Sequence, residues 1–208
     1  MRGVLEGWLA RVAAAGRARR SARLERRAAG LAPDAVHELV DLHRSGFVRA
    51  GATGQSITLV FAEVENLLAR RLRVQASPGT AFVAIGAHQN MVTRRPCRFT
   101  LEPGGRHRMS IEASCLNAGR PIPGSADRFH GVRAAPAGVK RFVDAAQDAD
   151  PMVVQAGVWA LTDGYSASDV QRRLEQHDRW GRRVSAVSTA QIEQARRILE
   201  RLSLPSRL

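Results

Sequence analysis

Between Gly51 and Cys115 the chain is punctuated by Gly51, Gly54, the Pro78-Gly79 pair, Gly86 and Pro103-Gly104-Gly105. Glycine weakens regular structure and proline removes a backbone donor, so the intervening β-branched and apolar runs read as short strands. The candidates are residues 57–64, 72–76, 81–85, 90–93, 97–101 and 108–115. Phe99-Thr100-Leu101 followed by Pro103-Gly104-Gly105 reads as a hairpin into the last of them. Six short strands predict an antiparallel β-sandwich or barrel.

On both sides of this block the apolar period is helical. Downstream, the spacing predicts helices over 139–146, 152–161 and 166–177 and a last one starting at Ser188 or Thr189. Asp150-Pro151 is a cap and first-turn proline for the second, and Asp163-Gly164 its stop. Upstream, Pro33 opens a predicted short helix through Leu42 that Gly46 closes. Before it, Val4, Leu5, Trp8, Leu9 and Val12 recur at helical spacing. The expectation is an α+β fold, with a basic helical arm and short helix over 1–50 and a β-sandwich or barrel with a C-terminal helical layer over 51–208.

Charge is concentrated in the arm. Thirty-two basic residues against 19 acidic ones leave a net +13, and Lys140 is the only lysine. The first thirty residues hold eight arginines and two glutamates. Arg17, Arg19, Arg20, Arg23, Arg26 and Arg27 give this stretch a positive surface, a candidate contact for nucleic acid or an acidic protein. An aromatic content of 5% argues against a base-stacking surface. No run reaches the roughly 20 apolar residues of a membrane span. Glu6 and Arg11 interrupt the stretch where a signal peptide needs an unbroken apolar core, which reads as a cytoplasmic chain.

Two residues stand out chemically. In the last strand Met109, Ile111, Ala113 and Cys115 alternate with polar positions, so the thiol sits on the apolar face at the strand's end. Gln155 lies one turn into an apolar helix among Val153, Val154, Val158 and Trp159, where a buried amide needs partners. Gln155 and Trp159 are four apart and share a face. Between strands, His88-Gln89-Asn90-Met91 is a polar, compact cluster able to line a mouth over Cys115.

Ser114-Cys115-Leu116-Asn117 and Val154-Gln155-Ala156-Gly157-Val158-Trp159 resemble the two motifs of the internal-thioester domains of Gram-positive surface proteins. The resemblance covers roughly residues 57–161. It implies that the Cys115 sulfur displaces ammonia from the Gln155 amide, leaving a thioester that traps a protein or small-molecule nucleophile covalently. It implies shielding and orienting roles for Trp159 and Asn117, no cofactor, and a secreted, adhesive binding protein rather than an enzyme. Other readings of the same residues stay open. Cys115 serves equally as a small buried hydrophobe with Gln155 capping loop backbone. A cysteine hydrolase would need His88, His107 or His130 beside the thiol. A noncatalytic module would act through the arginine-rich arm. The six histidines and two cysteines show no metal-ligand spacing.

Overall fold

The computed structural model describes residues 2–177 and 179–208, and in the first helix the side chains at 6, 11, 15, 16 and from 19 onward. The side chains of Val4, Leu5, Trp8, Leu9, Val12 and Arg17 lie outside the described residues. In chain order the elements are α1 (Arg2–Arg27), β1 (Val36–Glu38), α2 (Leu39–Arg44), β2 (Val48–Ser56), β3 (Leu59–Asn66), β4 (Leu72–Ala76), β5 (Thr80–Ala84), β6 (Met91–Thr93), β7 (Cys97–Leu101), β8 (Arg106–Cys115) and β9 (Arg128–Ala134). Then follow α3 (Ala137–Ala145), α4 (Pro151–Asp163), α5 (Ala167–Arg173), β10 (Glu175–His177), β11 (Arg183–Ser185) and α6 (Thr189–Arg201).

The fold is α+β around a closed antiparallel barrel of six strands in the order β2-β3-β8-β6-β5-β9. Closure follows from side-chain size. Ala50, Ala52, Ala62 and Ala113 are buried beside Val60, Val64, Phe82, Met91 and Ile111, so small residues leave room for the larger ones in a narrow barrel. Alternate positions carry charge: Arg49 meets Glu65 at 2.6 Å, Arg106 meets Glu65 at 3.3 Å and Arg108 meets Glu63 at 2.5 Å. Such exposed pairs contribute about 0–1 kcal/mol each, so the stability of this wall rests on the buried face. A separate sheet, β1-β4-β7, packs β1 parallel and β7 antiparallel to β4.

α4 is the central helix, packed against α3, α6 and β8. Asp150 caps it by accepting from the Met152 N–H, Pro151 occupies its first turn, and Gly164 ends it with φ of 65°. Residues 153–160 are all buried, so this part of the helix is enclosed on every side, with the Gln155 amide among apolar neighbours. α6 starts with a capping box between Ser188 and Gln191.

Several sequence expectations are corrected. The stretch from Pro33 to Leu42 is not one helix, because Val36–Glu38 adds an edge to β4 and only α2 remains helical. β2 carries Gly51 and Gly54 inside a strand. A Cβ at Gly54 would lie 2.6 Å from the Gly124 carbonyl oxygen, so that glycine permits a close approach instead of breaking the strand. β9 runs through a stretch that reads as loop, with Phe129 and Val132 its buried anchors. β7 and β8 are not hairpin partners: Leu101 pairs with Leu72 in β4, and the Pro103-Gly104-Gly105 turn carries the chain from one sheet to the other. The predicted helix 166–177 ends at Arg173, and Glu175–His177 pairs with β11. No helix among the described residues is long and apolar enough to cross a membrane.

Candidate functional site

The last turn of α1 docks on the core while its arginines divide. Ala28 is fully buried, and Glu25 accepts from the Ala69 N–H and from Arg70, whose guanidinium lies 2.8 Å away. The Ala69 bond, with Arg70 adding to it, holds the Glu25 carboxyl below its ordinary value. Arg27 donates to the Ser45 carbonyl and lies over the Phe47 ring, so it is part of the docking contact. Arg19, Arg20, Arg23 and Arg26 are exposed.

β8 and α4 bring Cys115 and Gln155 together. β3 begins at Leu59, opposite Glu112, and the Ala113 N–H donates to Thr58, so beyond that point β8 has no strand on this side. The Gln155 amide takes the missing place. The Cys115 N–H donates to Gln155 Oε1 at 2.8 Å, and Gln155 Nε2 donates to the Cys115 carbonyl at 2.9 Å. Both residues are fully buried. The buried amide that the sequence left without partners is thus satisfied by the backbone of the residue carrying the thiol.

The thiol itself is in apolar surroundings. Its sulfur meets the Met91 sulfur at 3.2 Å, Met91 being the cross-strand partner of Cys115. Burial pushes its pKa up to about 12, against a smaller opposing pull from Arg173. Among the described residues no histidine is hydrogen-bonded to it. His107 stacks on Phe99, His130 is exposed on β9, and His88 turns to Asp127 at 3.4 Å and to the Phe129 ring. A hydrolase needs a base that orients the nucleophile, and these three positions do not supply one. Cys97 is half-buried on β7, and both cysteines are free. Among the described residues no group of three His, Cys, Asp or Glu is placed to hold a metal ion.

A polar frame closes over the pair. The Trp159 indole N–H donates to Gln89 Oε1 at 3.2 Å, and Gln89 in turn donates from Nε2 to the Arg120 carbonyl and from its backbone to Pro121. Asn90 accepts from the Ala84 N–H and donates to the Asn117 side chain at 2.9 Å, while its carbonyl accepts from Leu116. Asn117 adopts φ of 65°, a conformation asparagine tolerates better than most residues, and so turns the chain directly after the Cys115-Leu116 step. Gln89, Asn90, Asn117 and Trp159 are therefore joined around the Cys115 end of the strand, whereas His88 belongs to the neighbouring contact with Asp127.

No protein-family model matches the chain, and no curated protein or solved structure matches it. The site must therefore be read from its own geometry. Met91, the last residue of the His88-Gln89-Asn90-Met91 cluster, is set directly against Cys115 by strand pairing. Another member gave no signal in the sequence. Arg173 is one arginine among 31, yet it donates to the Ala118 and Arg120 carbonyls at 2.8 Å each and lies 6.0 Å from the Trp159 ring.

Proposed function

We propose that the barrel and α4 hold an internal thioester between Cys115 and Gln155, and that this bond traps a nucleophile of a partner as a covalent adduct. The observation that carries this reading is the pair of hydrogen bonds between the Gln155 amide and the Cys115 backbone. Donation to Oε1 draws electron density from the amide carbon and stabilises negative charge developing on the oxygen during attack. Donation from Nε2 fixes the orientation of the leaving nitrogen.

The step balances without a cofactor. The Cys115 sulfur bonds to the Gln155 amide carbon, the C–N bond breaks, and the thiol proton leaves on the nitrogen as ammonia. Burial disfavours a thiolate but does not penalise a neutral thioester, so the site favours the acylated form once ammonia escapes into water. Exclusion of water by Trp159 and the 116–121 loop protects the bond from hydrolysis. When a partner amine attacks the acyl carbon, the C–S bond breaks, a proton passes from nitrogen to sulfur, and an amide remains at position 155.

Methylamine tests this. It should add to the Gln155 side chain and free the Cys115 thiol for alkylation, with Cys115→Ala and Gln155→Ala both inert. Recovery of an unmodified Gln155 peptide after prolonged methylamine treatment of folded protein counts against the proposal. The exposed Arg19, Arg20, Arg23 and Arg26 of α1 favour a second reading, noncatalytic binding of nucleic acid or an acidic protein. Truncation before Leu24 should then weaken binding to a polyanion, and the loss should shrink as salt rises.

A further inference from the structure

A cleft of about 480 Å³ opens beside the C-terminal end of α4, with Asp163, Tyr165, Asp169, Arg173 and Arg207 in its wall. Two of these side chains also touch the cover of the Cys115 and Gln155 pair. The Tyr165 ring lies 6.0 Å from the Trp159 ring, and the Arg173 guanidinium lies 6.0 Å from it. Trp159 is fully buried and one helical turn from Gln155. Tyr165 and Arg173 of the cleft thus stand against the ring of a residue one helical turn from Gln155.

We propose that this cleft is the port by which a small primary amine reaches the acyl carbon of Gln155, and that Arg173 is the bolt that closes it. The inference rests on the thioester reading for its chemistry, though access to Cys115 is a property of the fold alone. Arg173 joins three pieces of the cover: its Nε donates to the Ala118 carbonyl, its Nη2 to the Arg120 carbonyl, and its guanidinium carbon lies over the Trp159 ring. The Arg120 carbonyl also accepts from Gln89, which holds the indole N–H. Release of Arg173 therefore loosens the 116–121 loop and removes one support of the indole together.

The wall chemistry suits an amine. The Asp163 carboxylate offers an acceptor for N–H groups, Asp169 being engaged by Ser166 and Arg172, while the neighbouring Arg172, Arg173 and Arg207 guanidiniums favour the neutral, nucleophilic form over the ammonium. Arg172 pairs with Asp169 at 2.5 Å and Arg207 donates to the Gly164 carbonyl at 3.3 Å, both within the wall itself. Arg173 differs in that its partners lie on the loop over the thiol.

The test reads access directly and uses Cys97 as an internal control. Gln155→Glu serves as background, because a buried carboxyl stays protonated and preserves both bonds to Cys115 while offering no amide for ammonia loss. In mildly acidic buffer, a pyridyl disulfide should react with Cys115 at least about tenfold faster in Arg173→Ala than in the background, because the substitution removes two charge-assisted hydrogen bonds to the loop. Tyr165→Ala, which opens the same wall without touching the loop, should also accelerate Cys115. Cys97, in a different sheet, should react at the same rate in all three proteins. An unchanged Cys115 rate in both variants, or an equal rise at Cys97, overturns the port. In the chain with Gln155 intact, Arg173→Ala should raise the methylamine rate by a similar factor. A chain at full sequence mass instead removes the amine chemistry, a failure of the thioester reading that is distinct from a failure of the gate.

Discussion

Gly157 sits midway between Gln155 and Trp159 on α4, and its replacement by alanine pits two effects of opposite sign against each other. In a helix interior alanine is favoured over glycine by about 1 kcal/mol. At this position, however, an added Cβ would overlap the tip of the Phe142 ring of α3, where even the farthest of the three nearest ring carbons, Cε2, would be only 2.7 Å away. Phe142 is fully buried, so its ring cannot swing into solvent. Overpacking of this kind costs about 3 kcal/mol, leaving a net loss of about 2 kcal/mol for Gly157→Ala. For a chain of this length that lowers the melting temperature by about 4–8 °C. Denaturant unfolding of the Cys115→Ala protein, with and without Gly157→Ala, measures the difference apart from any thioester. Adding Phe142→Leu should recover part of it. A neutral or stabilised Gly157→Ala protein would refute the close approach of α3 and α4 at this position.

Gln155→Ala, compared in the same Cys115→Ala background, should cost about 2–4 kcal/mol, because it strands the N–H and carbonyl of residue 115 in the interior. A loss below about 1 kcal/mol by denaturant unfolding would mean that water replaces the amide freely. For Glu25 the folded-state pKa is depressed, so its contribution to α1 docking is present above the unfolded value and is lost as pH falls through the folded one. The Ala69 amide proton, which donates to that carboxylate, should titrate by NMR with a midpoint below 4.5, and a midpoint at or above it would contradict the docking contact.

The legible parts of the fold were those decided locally. Asp150-Pro151 and Gly164 bracket α4, Ser188 starts α6, and the strands over 72–76 and 97–101 are found at those bounds. What sequence could not give was decided by distant partners. Val36–Glu38 is extended because β4 offers an edge, and β7 leaves its apparent hairpin because Leu72 and Val74 pair with Leu101 and Phe99. Gly51 and Gly54 look like breaks until the neighbouring backbone explains them: a Cβ at Gly51 would crowd the Phe129 carbonyl at 3.3 Å, and one at Gly54 would not fit beside Gly124. At the site, the alternation ending at Cys115 and the solitary amide of Gln155 were visible because each breaks the expected polarity of its element. The acceptor and donor that Gln155 uses are backbone atoms, which no residue pattern advertises. Arg173 was hidden for a different reason, since a guanidinium acting on carbonyl groups leaves no complementary charge to find.

A covalent bond between Cys115 and Gln155 is read from the intact mass of the freshly purified, folded chain. Formation of the Cys115 to Gln155 thioester expels one ammonia, so the protein should be lighter than its sequence by that amount, and Cys115→Ala or Gln155→Ala should each restore the full expected mass. A chain at full sequence mass, with an unreacted glutamine at position 155 in its peptide map and a free thiol at Cys115, would contradict the account and leave the Gln155 amide as the cap of strand β8.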